Sequence, residues 1–146
     1  MKKVRDYMTT HVETLDPDWT IQEAARKMKD LDFGFLPVAE NARVTGALTD
    51  RDITVRVIAE ARDPVRTLVR DVMSRDMVAV REDDDLESVY ELMKERQLRR
   101  LPVLDAQQKL AGMITLARIA REQGEEAAGE ILKEVVVPSG PSTPAV

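Results

Sequence analysis

The sequence predicts a mixed α/β (α+β) fold built from two copies of one unit, each a short sheet packed with two helices, related by pseudo-two-fold symmetry. Three observations predict it. First, the chain repeats itself: Val4-Arg5-Asp6-Tyr7-Met8 recurs as Val69-Arg70-Asp71-Val72-Met73, and Leu36-Pro37-Val38 as Leu101-Pro102-Val103, both shifted by 65 positions. Second, each copy carries an apolar stripe at helical spacing. Third, each stripe is followed by two short apolar runs joined by a polar turn, the pattern of a hairpin.

The elements follow in order. Thr20 and Glu23 have capping-box spacing, and Ile21, Ala24, Ala25 and Met28 fall at i, i+3, i+4 and i+7 of an amphipathic helix. In the second copy Asp84 and Glu87 take the capping part, with Leu86, Val89, Tyr90 and Met93 as the stripe. The acidic run Asp83-Asp84-Asp85 then reads as a helix N-terminus complementing the macrodipole, since a hard cation needs convergent oxygens and not merely consecutive ones. Phe33 to Val38 and Leu98 to Val103 are short strands, each with a proline that suits an edge or a bulge. Their partners are Val44 to Leu48 and Leu110 to Ile114, reached through the polar turns at 40–43 and 105–108. Beyond the turn the shift grows to 66, so that Gly46-Ala47-Leu48-Thr49 matches Gly112-Met113-Ile114-Thr115, and the added residue falls where a turn tolerates it. A second helix opens at Thr49-Asp50 and runs to about Glu60; its counterpart runs from Thr115-Leu116 towards Gln123 and beyond. Pro64 ends the first copy's helical pattern. The expected division is 1–62 for the first repeat, 63–68 for a linker, 69–124 for the second repeat, and 125–146 for a C-terminal extension with a mobile Pro/Ser-rich tail.

Composition narrows the function. The 146 residues are 43% hydrophobic and 34% charged, ordinary for a globular protein. The net charge of -5 works against non-specific binding to nucleic acid or anionic membranes. Arginines at 51, 56, 62, 66, 70, 75, 99 and 100 are interrupted by acidic residues, with few aromatics for base stacking. No signal peptide or membrane span is expected, and the absence of Cys fits a cytoplasmic location and removes thiolate chemistry and sulfur-based zinc sites. The single His11, beside a polar turn, is expected to be an exposed loop residue. With so few nucleophiles and bases, an enzyme is not the expected class.

With V-R-D-x-M opening each copy, L-P-V ahead of each hairpin and the glycine-to-threonine element before the last helix, the chain resembles the CBS domains, which occur as tandem pairs called Bateman modules. The resemblance covers about Val4 to Glu122. It implies a regulatory module that senses an adenine nucleotide (AMP, ADP or ATP, with NAD or S-adenosylmethionine as further candidates), forms a homodimer and signals to another, unidentified protein. In Gly46-Ala47-Leu48-Thr49-Asp50-Arg51-Asp52 the Thr49 hydroxyl and free N–H groups at a helix start suit a phosphate. Asp52, nearly on the same helix face, suits the hydroxyls of a ribose, and Asp50 lies between them. Capping alone also accounts for Thr49 and Asp52. The resemblance implies an adenine slot on the other repeat, here Met73, Val78, Leu98 and Arg99.

The second copy departs from the pattern. Its element, Gly112 to Arg118, places Arg118 where the ribose carboxylate belongs, beside Thr115. The twin cleft, completed by Met8, Glu13, Phe33 and Gly34, is then empty or altered, with Arg118 binding an anion, pairing with Glu13 or standing in solvent. No metal site is expected. The rival reading is an interaction or scaffold module with vestigial clefts. The apolar residues Ile53, Val57, Ile58, Leu116 and Ile119 are readable either as a dimer face or as core.

Overall fold

The computed structural model describes residues 1–123, so the expected extension and tail at 125–146, and any continuation of the last helix past Gln123, lie outside the described residues. After a 3₁₀ turn at Val4–Asp6, the first copy contains α1 (Ile21–Leu31), β1 (Phe35–Glu40), β2 (Arg43–Thr49) and α2 (Asp50–Ile53), which continues as a π-helical turn at Thr54–Ile58. The second contains α3 (Val69–Val72), β3 (Val80–Arg81), α4 (Leu86–Arg96), β4 (Arg100–Leu104), β5 (Leu110–Thr115) and α5 (Leu116–Gln123).

α1 begins as its sequence dictates. The Glu23 N–H donates to Thr20 Oγ1 at 3.2 Å, and Ile21, Ala24 and Met28 turn inward. The linker supplies the rest of the cap: Ile21 N–H donates to the Thr67 carbonyl at 2.9 Å and Gln22 N–H to the Pro64 carbonyl at 3.0 Å. Residues 63–68 are therefore packed against α1, and Thr67 is buried. A Thr20→Ala variant is expected to lose about 1 kcal/mol in a urea melt. α4 starts differently. Asp85 occupies its N-cap without a side-chain bond, while Asp84 Oδ2 accepts from the Arg81 N–H at 2.9 Å and closes the turn after β3. The expected Asp84 cap is thus one residue early, because the carboxylate is taken by the preceding turn.

β1 and β2 are antiparallel and joined by Asn41 and Ala42 at φ 53° and 66°, positive at both central positions as a two-residue hairpin requires. The inserted residue of the second hairpin is absorbed by Asp105, whose carboxylate accepts from the N–H groups of Gln107 and Lys109. β4 and β5 form the equivalent antiparallel pair, with β3 parallel to β4 through Val80 opposite Val103; the first copy reduces this to one bridge, Leu15 to Val38. Both hairpins bulge after the valine of L-P-V, between Val38 and Ala39 and between Val103 and Leu104.

The two cores exchange their opening segments. Val69, Val72 and Met73 pack with Leu15, Ile21, Leu36, Leu48 and Val57 of the first copy. Val4, with Tyr7 and Met8 beside it, packs with Leu86, Met93, Leu101, Ile114 and Ile119 of the second. Each V-R-D-x-M segment thus completes the other copy's core. Paired backbone bridges seal the exchange: Ser74 and Ala47 trade two hydrogen bonds of 2.9 Å, and Thr9 and Met113 trade bonds of 2.8 and 2.9 Å. The helix-face question divides along these cores: Val57, Leu116 and Ile119 are buried, whereas Ile58 is 60% exposed. Ile53 lies partly buried against the first core.

Candidate functional site

At the end of β2 the chain turns into α2 through a complete capping box: the Asp52 N–H donates to Thr49 Oγ1 at 3.0 Å, and the Thr49 N–H to Asp52 Oδ2 at 2.9 Å. The other carboxylate oxygen, Oδ1, meets Arg56 only at 3.5 Å, and that arginine donates a shorter bond, 2.7 Å, to the Val72 carbonyl. Asp52 is therefore held in one geometry with one oxygen lightly engaged. It faces a cavity of about 230 Å³ whose walls come from both copies: Phe35, Ala47, Thr49 and Asp52 on one side, Ser74, Met77, Val78, Leu98, Leu101 and Pro102 on the other, with Asp76 and Arg100 as the remaining charges.

Of the expected first-cleft residues, the structure brings Thr49, Asp52, Val78 and Leu98 together. Three do not line the cavity. Met73 is buried in the first core with its sulfur against Gly46. Asp50 is exposed, its N–H donating to the Gly34 carbonyl and its carboxylate accepting from Arg51 N–H. Arg99 faces solvent, and the next residue, Arg100 at the start of β4, lines the cavity with Leu98. The expected free N–H groups at the start of α2 are also corrected: those of Asp50, Arg51 and Asp52 all have partners within the chain. The cation at this cleft is Arg100, stacked 4.5 Å from the Phe33 ring centroid and 5.8 Å from that of Phe35. Burial, then the neighbouring Arg99 charge, lowers its pKa from the ordinary arginine value. Among the described residues it has no ion-pair partner.

The twin cleft is divided. One part, about 300 Å³, is lined by His11, Val12, Glu13, Leu31, Phe33, Leu36, Pro37 and Arg100 together with Thr9, Met113 and Thr115. A second, about 350 Å³, shares Thr9, Met113 and Thr115 and adds Tyr7, Met8, Ala117, Arg118 and Arg121. Gly34 lines neither; its carbonyl is tied to α2. Of the alternatives for Arg118, the pair with Glu13 does not form: Glu13 is taken by Lys27 at 3.0 Å, and Arg118 is exposed and lies over the Tyr7 ring at 5.7 Å. His11, exposed as expected, approaches Glu13 at 3.6 Å.

Compared with known families, the duplicated α+β unit matches the CBS domain at residues 4–58 and 69–125. This chain belongs to the CBS domain family. It is 43% identical over 136 residues to the CBS domain-containing protein YhcV of Bacillus subtilis, covering 92% of this chain and 96% of that protein. Hypoxic response protein 1 of Mycobacterium tuberculosis is 33% identical over 140 residues, covering 94% and 96%. The crystal structure of Hypoxic Response Protein I with two coordinated zinc ions superposes with a TM-score of 0.76 at 32% identity, covering 84% of this chain and 99% of that one. That of CBSX2 in complex with AMP gives 0.71 at 26% identity, covering 89% and 98%.

In this CBS pair, sequence reasoning missed Phe35, Ser74, Asp76, Met77 and Arg100 in the first cleft. For Ser74, the shift of 65 pairs it with Thr9, the residue that follows the other V-R-D-x-M segment. The Glu13 carboxyl titrates below its ordinary value, first through the Lys27 hydrogen bond and then through the Lys27 charge. A depressed folded-state pKa contributes stability above the unfolded value, about 4.3, and loses it as pH falls further. Glu13→Gln is accordingly expected to flatten the drop in urea midpoint between neutral pH and the acid range, while an unchanged drop would place the Glu13–Lys27 pair outside the acid response.

Proposed function

We propose that this CBS pair is a regulatory module that binds an adenine nucleotide in the first cleft and signals its occupancy to another protein. The observation that carries the reading is the posture of Asp52: its Oδ2 is fixed on the Thr49 N–H while Oδ1, weakly paired at 3.5 Å, faces a slot walled by Phe35, Val78, Leu98 and Pro102. A carboxylate so fixed accepts a ribose hydroxyl, and the apolar walls suit a flat base. The complex of the related CBSX2 with AMP supports this ligand class. Because the N–H groups at the α2 start are satisfied internally, the phosphate falls to Arg100, the guanidinium at the cavity wall that has no ion-pair partner among the described residues. Zinc has no part in this reading. The chain has no Cys and one His, and no group of three or more His, Asp or Glu side chains able to hold a metal occurs among the described residues.

Signalling through another protein follows from the fold's two-part construction. A ligand touching both copies favours one arrangement of them, by no more than its difference in affinity for the alternatives. Homodimerisation through the exposed Val55 and Ile58 and a cytoplasmic location belong to the same proposal. No helix among the described residues is long and apolar enough to cross a membrane.

A thermal-shift screen with AMP, ADP, ATP, NAD and S-adenosylmethionine tests the ligand class. A ligand at 100 times its Kd adds about 2.7 kcal/mol to stability, so at least one of the five is expected to raise the melting temperature saturably. A flat response to all five would leave the clefts vestigial and favour a scaffold.

A further inference from the structure

The shift of 65 that aligns the two copies pairs Phe35 with Arg100, each the residue before L-P-V. In the structure these equivalents meet. The Arg100 guanidinium lies over the Phe35 ring at 5.8 Å and over the Phe33 ring at 4.5 Å. Two equivalent residues in contact lie beside the axis that relates the copies. Phe35 lines the first cleft, Phe33 the chamber of the second, and Arg100 alone is shared by the two linings. One guanidinium is therefore held by two rings, and the nearer of them, Phe33, does not line the first cleft.

Arg100 is half-buried, has Arg99 as a neighbouring like charge, and has no ion-pair partner among the described residues. A ring engages the flat face of a guanidinium and leaves its N–H edge free to donate in the plane, so stacking and anion binding do not compete. What the rings supply is order. A side chain already held by packing loses less conformational freedom when it binds a ligand.

We infer that Phe33 is a positioning residue for the first cleft: acting through Arg100 across the axis, it sets that cleft's preference for a phosphorylated adenine ligand over the bare nucleoside. The inference rests on the nucleotide reading of the first cleft and adds to it a residue that the ligand does not touch. A phosphate on the Arg100 edge also offsets the charge facing the Phe33 ring. Occupancy by nucleotide, and not by nucleoside, is thereby registered at a ring that is 39% exposed.

The test titrates adenosine, AMP and ATP into the full chain by calorimetry. The tighter of the two nucleotides is expected to bind at least about tenfold more strongly than adenosine, the size of a charge-assisted hydrogen bond. Phe33→Leu is expected to reduce that ratio about fivefold, the size of a cation–π contact, with adenosine affinity unchanged. Phe33→Tyr keeps the ratio, and Arg100→Met removes it. A general loosening of the fold would instead lower all affinities together, and ligand-free melts verify that each variant is folded. Because the chain holds two Phe, 4-fluorophenylalanine labelling gives two fluorine resonances, assigned by Phe33→Leu. The Phe33 resonance is expected to move with the nucleotide and stay with adenosine, while that of Phe35, in the cleft wall, moves with both. A ratio that survives Phe33→Leu, or a Phe33 resonance that answers adenosine as it answers the nucleotide, would overturn the inference and leave the nucleotide reading standing. A parent chain that binds none of the three ligands would overturn both.

Discussion

Gly46→Ala is expected to unfold at a distinctly lower urea concentration than the parent chain, by at least about 2 kcal/mol. A methyl group on Gly46 would lie 2.6 Å from the Ser74 carbonyl oxygen and 3.0 Å from Met73 Sδ. The sulfur can move, but the carbonyl belongs to a backbone that exchanges two 2.9 Å hydrogen bonds with Ala47. Relief therefore requires the opening segment of the second copy to withdraw, carrying Val69, Val72 and Met73 out of the first core. Gly112 stands in the same relation to Thr9, whose carbonyl oxygen would be 2.5 Å from an added methyl, so Gly112→Ala is expected to act alike through Val4. The glycine of the motif is thus explained by close backbone approach, with no need for an unusual dihedral. Urea midpoints of both variants check the result, and parental midpoints would mean that the opening segments are not docked across the seam.

Asp52→Asn is expected to abolish nucleotide binding with little loss of stability. Truncation to Ala would confuse two effects, because Asp52 is half of the capping box with Thr49, and losing such a cap costs about 1 kcal/mol. Asn keeps a carbonyl oxygen for the Thr49 N–H and removes the charge. What it loses is the second acceptor: an amide NH₂ turned toward the cavity meets ribose hydroxyls with only one lone-pair-bearing atom left, and that atom is committed at 2.9 Å to the backbone. An affinity loss of at least about tenfold accompanies removal of one charged acceptor from a hydrogen bond. Calorimetry and a ligand-free melt on the same sample separate binding from folding; retained affinity would assign Asp52 to capping alone.

Much of the fold was legible because duplication leaves a constant offset. The shift of 65 aligned the helices and L-P-V segments, and its change to 66 located the longer hairpin turn at Asp105. What self-similarity cannot reveal is which copy a segment packs into, since Val4 and Val69 satisfy either core equally in pattern; only the structure shows the exchange. Asp84 was misassigned because three consecutive aspartates offer a cap at several positions, and the turn after β3 claimed that one. In the first cleft, Thr49 and Asp52 were readable from their spacing, whereas the choice between Arg99 and Arg100 was not, because it depends on the Phe33 and Phe35 rings against which Arg100 packs. The satisfaction of the α2 N–H groups was not readable at all, because it depends on the Gly34 carbonyl arriving from another turn and on Asp50 bonding its neighbour. The same limit hid the Glu13–Lys27 pair, which keeps Glu13 from Arg118.

The proposed function requires one nucleotide cleft per chain, built by Asp52 against the second copy. Calorimetric titration of the parent chain and of Asp52→Asn with AMP, ADP and ATP measures it most directly. One site per chain is expected for the binding nucleotide, and none in the variant. Two equivalent sites per chain, or a single site that Asp52→Asn leaves intact, would contradict it.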